Sequence, residues 1–424
     1  MLWSMSRSLI WIWGLWDWGA AGFSVLAWTF VFAPYLTSQV GSGLTGNMSA
    51  SSWLGLGVGA SGFALLLAAP GVGPWIGTGR RRHRSLALLS VVLMVILLTM
   101  STIRPELNQF WLGLGLLSTG LLVYELATIP YNAMLRDLSG ARGIGDASGI
   151  GMAMGYCGGI LLLGLSFFCF MGGNGPTRGI FQIPADDGLP VRASLVLGGA
   201  WFLIFSLPLL LFAPKRKEVD TSRGFFEAYR IIGRDLRELW KLDRRVVKYL
   251  LVSAVFRDGL VGFATFGAVI AASEYGFSQS HLLLFGAASN IAAAFGAAVG
   301  GRANSRYGSR QLIVGSLASI LLLGAGLLVS IGSWAFWVFG LAISLFIGPA
   351  LAASRTMLLE LTPQGKEGEM FGLYAVSGRT VAFLSPLMFG ICSNLFHASR
   401  GGAAGIMVVL TAGLAGMVLV DMAD

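Results

Sequence analysis

Charged side chains are scarce in this sequence. Lysine and arginine together number 29, and aspartate and glutamate number 20, among 424 residues of which 55% are hydrophobic. The longest polar stretch, residues 214–245, is far shorter than a typical domain of about 100–150 residues. A large soluble domain is therefore excluded.

Residues that bind metals, form disulfides or act as nucleophiles are also few. The three cysteines, Cys157, Cys169 and Cys392, lie within apolar runs without metal-like spacing and are interpreted as small core residues. The three histidines lie in loops or at the ends of such runs. Residues 143–149 match the glycine spacing of a dinucleotide loop, but no strand precedes them, and no P-loop is present. We expect neither an enzyme nor a cofactor or metal site.

Long apolar runs are abundant. A hydrocarbon core about 30 Å thick is crossed by about 20 apolar residues of helix. Because backbone amides inside a bilayer must pair within their own segment, runs of this length are predicted to be helices. Twelve runs fit, near residues 9–36, 52–76, 85–104, 108–134, 147–171, 191–213, 246–273, 279–301, 311–331, 333–358, 369–394 and 402–421. The sequence therefore predicts an all-α membrane protein with twelve transmembrane helices.

Basic residues are distributed unevenly between the predicted loops. With the N-terminus in the cytoplasm, the outside loops hold only Arg104, Arg178, Arg192 and Arg400, and the inside loops hold the other loop arginines and lysines. Because basic loops are retained in the cytoplasm, both termini are predicted there, and we expect a bacterial inner membrane. The net charge of +9 then reflects topology and not a nucleic-acid partner. The basic cluster at 223–248 is predicted to contact anionic lipids of the inner leaflet.

Two similar halves flank the polar stretch. We predict an N-terminal six-helix bundle at 1–213, a cytoplasmic amphipathic connector at 214–245 and a C-terminal six-helix bundle at 246–424. Asp17 and Asp258 begin similar sequences in the first and seventh runs, and a glycine-rich turn ending in arginine follows the second and eighth. Such repetition indicates a duplication. We expect the protein to be a monomer.

The two glycine-rich turns carry a family resemblance. They are similar to degenerate copies of the glycine/aspartate/arginine motif between spans 2–3 and 8–9 of the major facilitator superfamily. The acidic residue of that motif is missing from the first copy, and Asn304 replaces it in the second. The resemblance implies a gate on the cytoplasmic face. The motif residues are Arg80, Arg81, Asn304, Arg306 and Arg310.

A finer resemblance points to the vacuole-effluxer-like transporters of fungal vacuoles and bacteria. It implies two six-helix bundles that transport a solute by alternating access and, in the fungal members, amino-acid efflux from the vacuole. The similar pieces are Trp16-Asp17-Trp18, Pro130-Tyr131-Asn132-Ala133, residues 155–159, Arg257-Asp258-Gly259, Ser354-Arg355 and residues 371–386.

Charged side chains inside the predicted spans are the strongest site candidates, because each costs about 2.5–3.5 kcal/mol at the bilayer centre. Arginine can bind a substrate carboxylate through its planar fork, and a buried carboxylate can hold an ammonium group or a proton. The alternative is ion pairing that only locks the bundle. The six candidates are Asp17, Glu125, Arg257, Asp258, Arg355 and Arg379.

These candidates receive different roles. Arg379 is expected to bind a substrate carboxylate, and Asp258 is the first choice for a proton carrier, ahead of Asp17 and Glu125. Arg257 is expected to point away from Asp258, because neighbouring helical residues lie about 100° apart.

Residues nearer the ends of the spans complete the set of candidates. Arg355 lies near the cytoplasmic end of its run and is expected to snorkel or to act as a latch. Trp16 and Trp18 flank Asp17, whereas Tyr131 and Asn132 belong to the family-like stretch of the fourth run. We include Trp16, Trp18, Tyr131 and Asn132 in the predicted site.

The sequence therefore favours a secondary transporter of a small polar or zwitterionic solute, with amino acids first, coupled to protons. Two alternatives remain. A lipid or amphiphile transporter of the same fold would need a laterally open, mostly apolar cavity. A non-transporting assembly factor or sensor would agree with the degenerate motifs, but it would gain little from the internal charges.

Overall fold

A computed structural model describes residues 2–44, 50–76, 80–139, 143–173, 175–212, 244–277 and 279–419. Among these residues, twelve segments are helical, long and apolar enough to cross a membrane, which is the predicted number. Residues 213–243 are outside the described part, so the amphipathic helix of the connector stays a prediction.

We number the segments as spans 1–12 and call spans 1–6 the first half and spans 7–12 the second half. The first half comprises Ser8–Val40, Ser52–Ala69, Arg80–Met100, Leu107–Leu138, Ile144–Met171 and Asp186–Phe212. The second half comprises Arg244–Tyr275, Leu284–Tyr307, Ser309–Val329, Ser333–Leu361, Glu367–Phe396 and Ser399–Leu419. The end of the bundle that carries the start of span 1 and the end of span 12 is called the terminal face, and the other end the opposite face.

Most spans are built from one long α-helix. In the first half the longer α-helices are Leu2–Ala21, Ala50–Ile76, Arg80–Met100, Phe110–Ala133, Ile144–Ser166 and Leu189–Phe212, with the short helix Leu135–Ser139 completing span 4. In the second half they are Arg244–Tyr275, Gln279–Tyr307, Ser309–Val329, Ser333–Leu361, Glu367–Val381, Leu384–Phe396 and Ser399–Leu419. Short 3-10 turns, Leu107–Gln109 and Asp186–Gly188, begin spans 4 and 6.

Span 1 changes its helical pitch near the middle of the bundle. After the α-helix it continues as a π-helix at Gly22–Phe30, a short α-helix at Phe32–Tyr35 and a second π-helix at Leu36–Val40. At the first transition the backbone of span 1 meets span 6 so closely that a Cβ on Gly22 would lie 2.4 Å from the carbonyl oxygen of Gly198. Wide helical turns of this kind often lie at functional sites.

Span 11 is broken into two helices, which the sequence pattern did not predict. Glu367–Val381 ends at Ala382, and Leu384–Phe396 begins just after it. Pro386 explains the break, because its ring would clash with the carbonyl four residues earlier in a continuous helix, whereas proline is tolerated in a first helical turn.

The loop between spans 5 and 6 holds the short antiparallel strands β1, Thr177–Arg178, and β2, Ile183–Pro184. It follows a last π-helical turn of span 5 at Phe167–Met171. The loop folds back onto that turn, since the amide of Ile180 donates to the carbonyl of Phe168 over 2.9 Å.

The two halves pack against each other along a seam formed by spans 5 with 8 and 10, and by span 11 with 2 and 4. Glycines permit close contact near the terminal face: a Cβ on Gly149 of span 5 would lie 2.5 Å from the carbonyl oxygen of Ala297 in span 8. In span 11, the helix nearer the terminal face carries the extensive contacts with the first half. The helix nearer the opposite face packs mainly on spans 7 and 12 of its own half. The described parts of the halves therefore join at the terminal face and diverge toward the opposite face.

Close packing inside the second half makes a stability prediction. A Cβ on Gly296 of span 8 would lie 1.9 Å from the carbonyl oxygen of Leu345 in span 10, whereas one on Gly286 of the same helix meets no atom within 4 Å. Gly296→Ala should lower the thermal unfolding midpoint of the purified protein by several degrees, because overpacking costs about 1–3 kcal/mol.

Gly286→Ala is the matched control. It should hold or raise the unfolding midpoint, because alanine is favoured over glycine in helices by about 1 kcal/mol. Equal midpoints for the two variants would contradict the packing of span 8 against span 10.

Candidate functional site

Among the described residues, an ion pair joins the halves near the middle of spans 4 and 11. The guanidinium of Arg379 in span 11 donates a short hydrogen bond to the carboxylate of Glu125 in span 4. The two side chains are 31% and 30% exposed, so both are only partly buried. The structure thus brings together two of the six charges predicted from the sequence. We call Glu125 and Arg379 the central pair.

The central pair forms part of the wall of a small cavity of about 100 Å³. A single water needs about 10–15 Å³ measured in this way, so the cavity has room for several waters or a small polar group. Its walls combine hydroxyl groups with apolar and aromatic surface. The other lining residues are Phe23, Ser24, Trp28, Val58, Ser61, Leu121 and Tyr124.

Arg257 lies behind the central pair, on the second-half side of span 11. Its guanidinium carbon lies 3.3 Å from the ring centroid of Tyr374, and it donates to the Tyr374 carbonyl over 2.8 Å and to the Ser377 hydroxyl over 3.3 Å. Among the described residues no carboxylate forms an ion pair with it. Its charge is held by an aromatic face and carbonyl dipoles, which is a recognised way to stabilise a guanidinium.

Asp258 contacts a different part of span 11 from its sequence neighbour Arg257. It is 7% exposed, and its Oδ2 accepts a hydrogen bond of 2.7 Å from the backbone amide of Ser385. Ser385 lies in the first turn of the second helix of span 11, where helix amides have no internal partner. Asp258 therefore caps the helix that begins after the break. The geometry gives this carboxylate a structural role as a helix cap. Its role as proton carrier stays a prediction.

Asp17 faces the seam from span 1. A Cβ on Gly155 of span 5 would lie 3.3 Å from its Cγ, so the missing side chain of that glycine makes room for the carboxylate. Tyr131 of span 4 and the charge of Arg355 in span 10 both act on it. The Tyr131 hydroxyl is nevertheless buried without a well-formed hydrogen bond among the described groups. Asp17 likewise forms no ion pair within that part of the chain.

Arg355 crosses from the second half into the first. It is 8% exposed, and it donates to the side-chain oxygen of Asn132 over 3.1 Å and to the carbonyl of Ser148 over 3.2 Å. The Ser148 hydroxyl donates in return to the carbonyl of Ala352 over 2.8 Å. These bonds tie span 10 to spans 4 and 5. Arg355 and Asn132 are thus joined in one contact across the seam.

A second charged cluster lies closer to the terminal face. Arg82 of span 3 is 2% exposed and pairs with Asp137 at 2.9 Å and with Glu367 at 3.1 Å. Arg136 pairs with the other oxygen of Glu367 at 3.0 Å. Glu367 begins span 11, so an acid of the second half is held by two arginines of the first half. We call Arg82, Arg136, Asp137 and Glu367 the terminal latch.

The residues predicted from the glycine-rich turns are placed less centrally. Arg80 and Arg81 are exposed, Arg306 is exposed and lies over the ring of Tyr307, and Arg310 donates to the carbonyls of Met417 and Val418 in its own half. Asn304 is 5% exposed and packs against Gly145 of span 5, so it does lie in the seam.

The predicted aromatic residues pack inside the first half. Trp16 is fully buried, donates to the Ser90 hydroxyl over 2.9 Å and stacks on Tyr131. Trp18 stacks on Trp201 of span 6, with ring centroids 6.2 Å apart. Neither tryptophan lines the cavity of the central pair.

Sequence reasoning missed the terminal latch. Arg80, Arg81 and Arg82 are three identical residues in a row, so the sequence alone does not distinguish them. The rotation of the helix Arg80–Met100 about its axis decides which of the three side chains turns inward. Glu367 carried a usable signal, since it is an acid in the first turn of a helix after Pro363 and Gly365. Arg82, which follows the first glycine-rich turn, pairs with one acid of its own half, Asp137, and one of the other half, Glu367.

Comparison with known proteins gives one family. A family model described as "Vacuole effluxer Atg22 like" matches residues 145–424. The MFS-type transporter YxiO of Bacillus subtilis is 20% identical over 409 residues, covering 95% of this chain and 92% of that protein. Autophagy-related protein 22 of Yarrowia lipolytica is 22% identical over 309 residues, which is 65% of this chain and 50% of that protein. The matches with such fungal relatives thus span about half their length.

Solved structures agree on the fold. The proton:xylose symporter XylE bound to 6-bromo-6-deoxy-D-glucose superposes with a TM-score of 0.74 at 13% identity, covering 98% of this chain and 95% of that one. The transporter FucP in its outward conformation gives 0.73 at 13% identity, with 97% of both chains covered. The predicted fold of two six-helix bundles is confirmed.

The terminal latch yields a prediction about access from the terminal face. Glu367→Gln removes the acid shared by Arg82 and Arg136, and losing one partner of a buried ion pair costs about 3–5 kcal/mol. Even about 1.4 kcal/mol of this changes an equilibrium tenfold. A Ser148→Cys reporter, buried in the seam, should therefore react about ten times faster with a maleimide in a background without the three native cysteines.

Glu360→Gln serves as the control for this measurement. Glu360 accepts from Ser309 over 2.8 Å within the second half and lies near the same face, so its loss should leave the reporter rate unchanged. An unchanged rate in Glu367→Gln would mean that the latch does not hold the seam closed.

Proposed function

Because the chain belongs to the vacuole effluxer Atg22-like family of the major facilitator superfamily, we propose that it is a secondary active transporter for amino acids with apolar side chains. Transport proceeds by alternating access and is coupled to protons. The observation that supports this proposal is the central pair, an ion pair between the two halves beside a small cavity.

A zwitterion is the solute class that best suits the central pair. Entry of a substrate between Glu125 and Arg379 separates two charges that stabilise each other, and an unpaired charge in a low-dielectric site is costly. An amino acid replaces both partners at once, since its ammonium group can bind Glu125 while its carboxylate binds the Arg379 fork. A pure cation or anion would leave one of the two side chains without a partner.

The cavity walls suggest the rest of the substrate. Phe23, Trp28, Val58 and Leu121 present apolar surface next to the charged end, while Ser24 and Ser61 add hydroxyl groups. An apolar side chain gains about 25 cal/mol for each Å² removed from water. Leucine therefore serves as the test substrate, with a charged end for the central pair and an aliphatic end for the walls.

The charges also weigh against the alternative of a lipid or amphiphile transporter. A lipid path would place acyl chains beside Glu125 and Arg379, which would then lose water without gaining a counter-charge. A second candidate function has no comparable support, and lysolipid binding becomes an outcome of the tests.

The contacts between the halves differ at the two ends of the seam. The terminal latch and the Arg355 contacts bind the halves on the side of the terminal face, and the halves diverge on the other side. Substrate binding replaces the direct contact of Glu125 with Arg379 by a zwitterion held between spans 4 and 11. The alternate state would separate the terminal latch and open the terminal face, which the basic loops predict to be cytoplasmic.

Binding of leucine and two analogues tests the zwitterion model. Isothermal titration of the purified protein should detect leucine, with binding of leucinamide and 4-methylpentanoate at least tenfold weaker, because each analogue satisfies one partner of the central pair. Arg379→Lys should weaken leucine binding about tenfold although the charge is kept, since the bidentate fork is lost. Glu125→Gln should weaken leucine binding. It should also reduce the ratio of the affinity for leucine to the affinity for 4-methylpentanoate.

Glu106→Gln is a control for loss of an acid, because Glu106 is exposed on the opposite face away from the cavity. Each variant is compared with wild type by its thermal unfolding midpoint before titration. Leucine affinity that stays at the wild-type value in both Arg379→Lys and Glu125→Gln would remove the central pair from the substrate site. Saturable binding of a lysolipid with no binding of leucine would favour the amphiphile transporter.

A further inference from the structure

We propose that Arg257 and Asp258 of span 7 are positioning residues, which together fix the direction of the Arg379 guanidinium toward Glu125. These two consecutive residues contact span 11 on either side of its break, and Arg379 lies between the two contacts. The inference rests on the proposed function, because it assigns the residues that hold the carboxylate-binding end of the substrate site. We call Arg257 and Asp258 the span 7 clamp.

Arg379 stands at a helix end, where the backbone alone does not fix its position. It lies in the last turn of Glu367–Val381, and the amide of Ala382 already bonds to its carbonyl over 3.4 Å in a tightened final turn. Helix ends have backbone groups without internal partners, and they fray. A binding side chain must be held within about 0.5 Å and 10–20° of its productive geometry. Contacts from outside span 11 therefore have to hold this end of the helix.

Arg257 holds the turn of span 11 that precedes the break. Its Nη2 donates to the carbonyl of Tyr374 over 2.8 Å and to the hydroxyl of Ser377 over 3.3 Å. Its guanidinium carbon also lies 3.3 Å from the centroid of the Tyr374 ring. Gly378 permits this approach, because a Cβ there would lie 3.2 Å from the same Nη2. The side chain of Arg257 therefore contacts both the backbone and the side chains of this turn.

Asp258 holds the helix that follows the break. Its Oδ2 accepts from the amide of Ser385 over 2.7 Å, and Ser385 is fully buried, so this amide has no access to water. Buried amides are nearly always paired. Gly262 of span 7 makes room for the contact, since a Cβ there would lie 2.7 Å from the Cβ of Ser385. A neutral oxygen in the same place could accept the same bond, so this role requires an acceptor and not a charge.

The two contacts together restrict the backbone around Arg379. Ser377 and Ser385 flank it in sequence and both are bound to span 7, so this segment cannot rotate without breaking one of the two contacts. From here the side chain of Arg379 extends to the first half. A Cβ on Gly62 of span 2 would lie 3.9 Å from its Cδ, and its guanidinium bonds to Glu125 of span 4. The span 7 clamp thus determines where the carboxylate of a zwitterion is bound.

A positioning role and a purely structural role differ in their effect on two ligands. Leucine requires both members of the central pair, whereas leucinamide has an ammonium group and no carboxylate and requires Glu125 alone. Misdirecting Arg379 therefore weakens the binding of leucine and leaves that of leucinamide unchanged. A general disturbance of the fold would weaken both. The ratio of the two affinities reports on the position of Arg379 and not on stability.

Isothermal titration with leucine and leucinamide tests the span 7 clamp. Asp258→Ala removes the acceptor of the Ser385 amide, and Arg257→Met removes the donors while keeping an unbranched side chain. Each variant should bind leucine about tenfold more weakly, because the guanidinium fork no longer meets the carboxylate in line. Each should bind leucinamide as wild type does. Asp258→Asn retains an acceptor oxygen and should restore the affinity for leucine.

Glu274→Ala is the matched control. Glu274 also belongs to span 7, and its Oε1 accepts over 2.8 Å from the amide of Ser399 at the start of the last helix. The contact is of the same kind as that of Asp258, but it lies about 24 Å farther along span 7 at 1.5 Å per residue. Glu274→Ala should lower the thermal unfolding midpoint and leave the ratio of leucine affinity to leucinamide affinity unchanged.

Three results would overturn the proposal. The first is wild-type affinity for leucine in folded Asp258→Ala or folded Arg257→Met. The second is an equal loss of leucine and leucinamide binding in these variants. The third is a loss in Asp258→Asn as large as that in Asp258→Ala, which would assign Asp258 a role through its charge. Should Asp258→Ala fail to fold, Arg257→Met carries the same test from the other side of the break.

A measurement without ligand separates this inference from the proposed function. Glu125→Gln breaks the central pair and should lower the thermal unfolding midpoint of wild type. In the Asp258→Ala background the same change should have a smaller effect, because residues that no longer interact contribute additively. If wild type binds no leucine, the function fails, while equal effects of Glu125→Gln in the two backgrounds would still overturn the clamp. If leucine binds and the two effects are equal, the function stands and other contacts position Arg379.

Discussion

The charges between the two halves must be paired across the seam, and the rest of the structure follows from that constraint. Glu367 binds Arg82 and Arg136, Arg355 binds Asn132 and the Ser148 carbonyl, and Arg379 binds Glu125. Each contact joins a residue of spans 10 or 11, or of the turn between them, to the first half. In a low-dielectric interior, separating such partners is costly. The halves can therefore part only where the charges find other partners, in substrate, water or protons.

These contacts form three layers with different exposure. In the terminal latch Arg82 and Glu367 are almost fully buried although Asp137 is 30% exposed, Arg355 is 8% exposed, and the central pair is about one-third exposed. A solute and a proton arriving from the opposite face meet the layers in reverse order. In the proposed mechanism the solute first exchanges the partners of the central pair, and the terminal latch opens last.

Much of the fold could be predicted from the sequence. The hydropathy of a run depends neither on which helix it packs against nor on which of its faces is turned inward. The twelve runs correspond to the twelve spans, and the intramembrane charges identified Glu125 and Arg379. The partners were harder to predict, since they depend on helical phase and on tertiary contacts. Phase selects Arg82 in place of Arg80 and Arg81, and the break at Pro386 gives Asp258 an amide to cap. The same limit applies to Trp16 and Trp18, which flank an acid in sequence but pack away from the cavity.

Counterflow in proteoliposomes is the most direct measurement of whether a zwitterion passes through the central site. Vesicles containing the wild-type protein are loaded with unlabelled leucine and diluted into a trace of labelled leucine without any ion gradient. Transient accumulation of label in wild type and its absence in Glu125→Gln is the expected result. If wild type gives no counterflow with leucine or any other amino acid, while a labelled lysolipid exchanges across the same vesicles, the account of the central pair as a zwitterion site is contradicted.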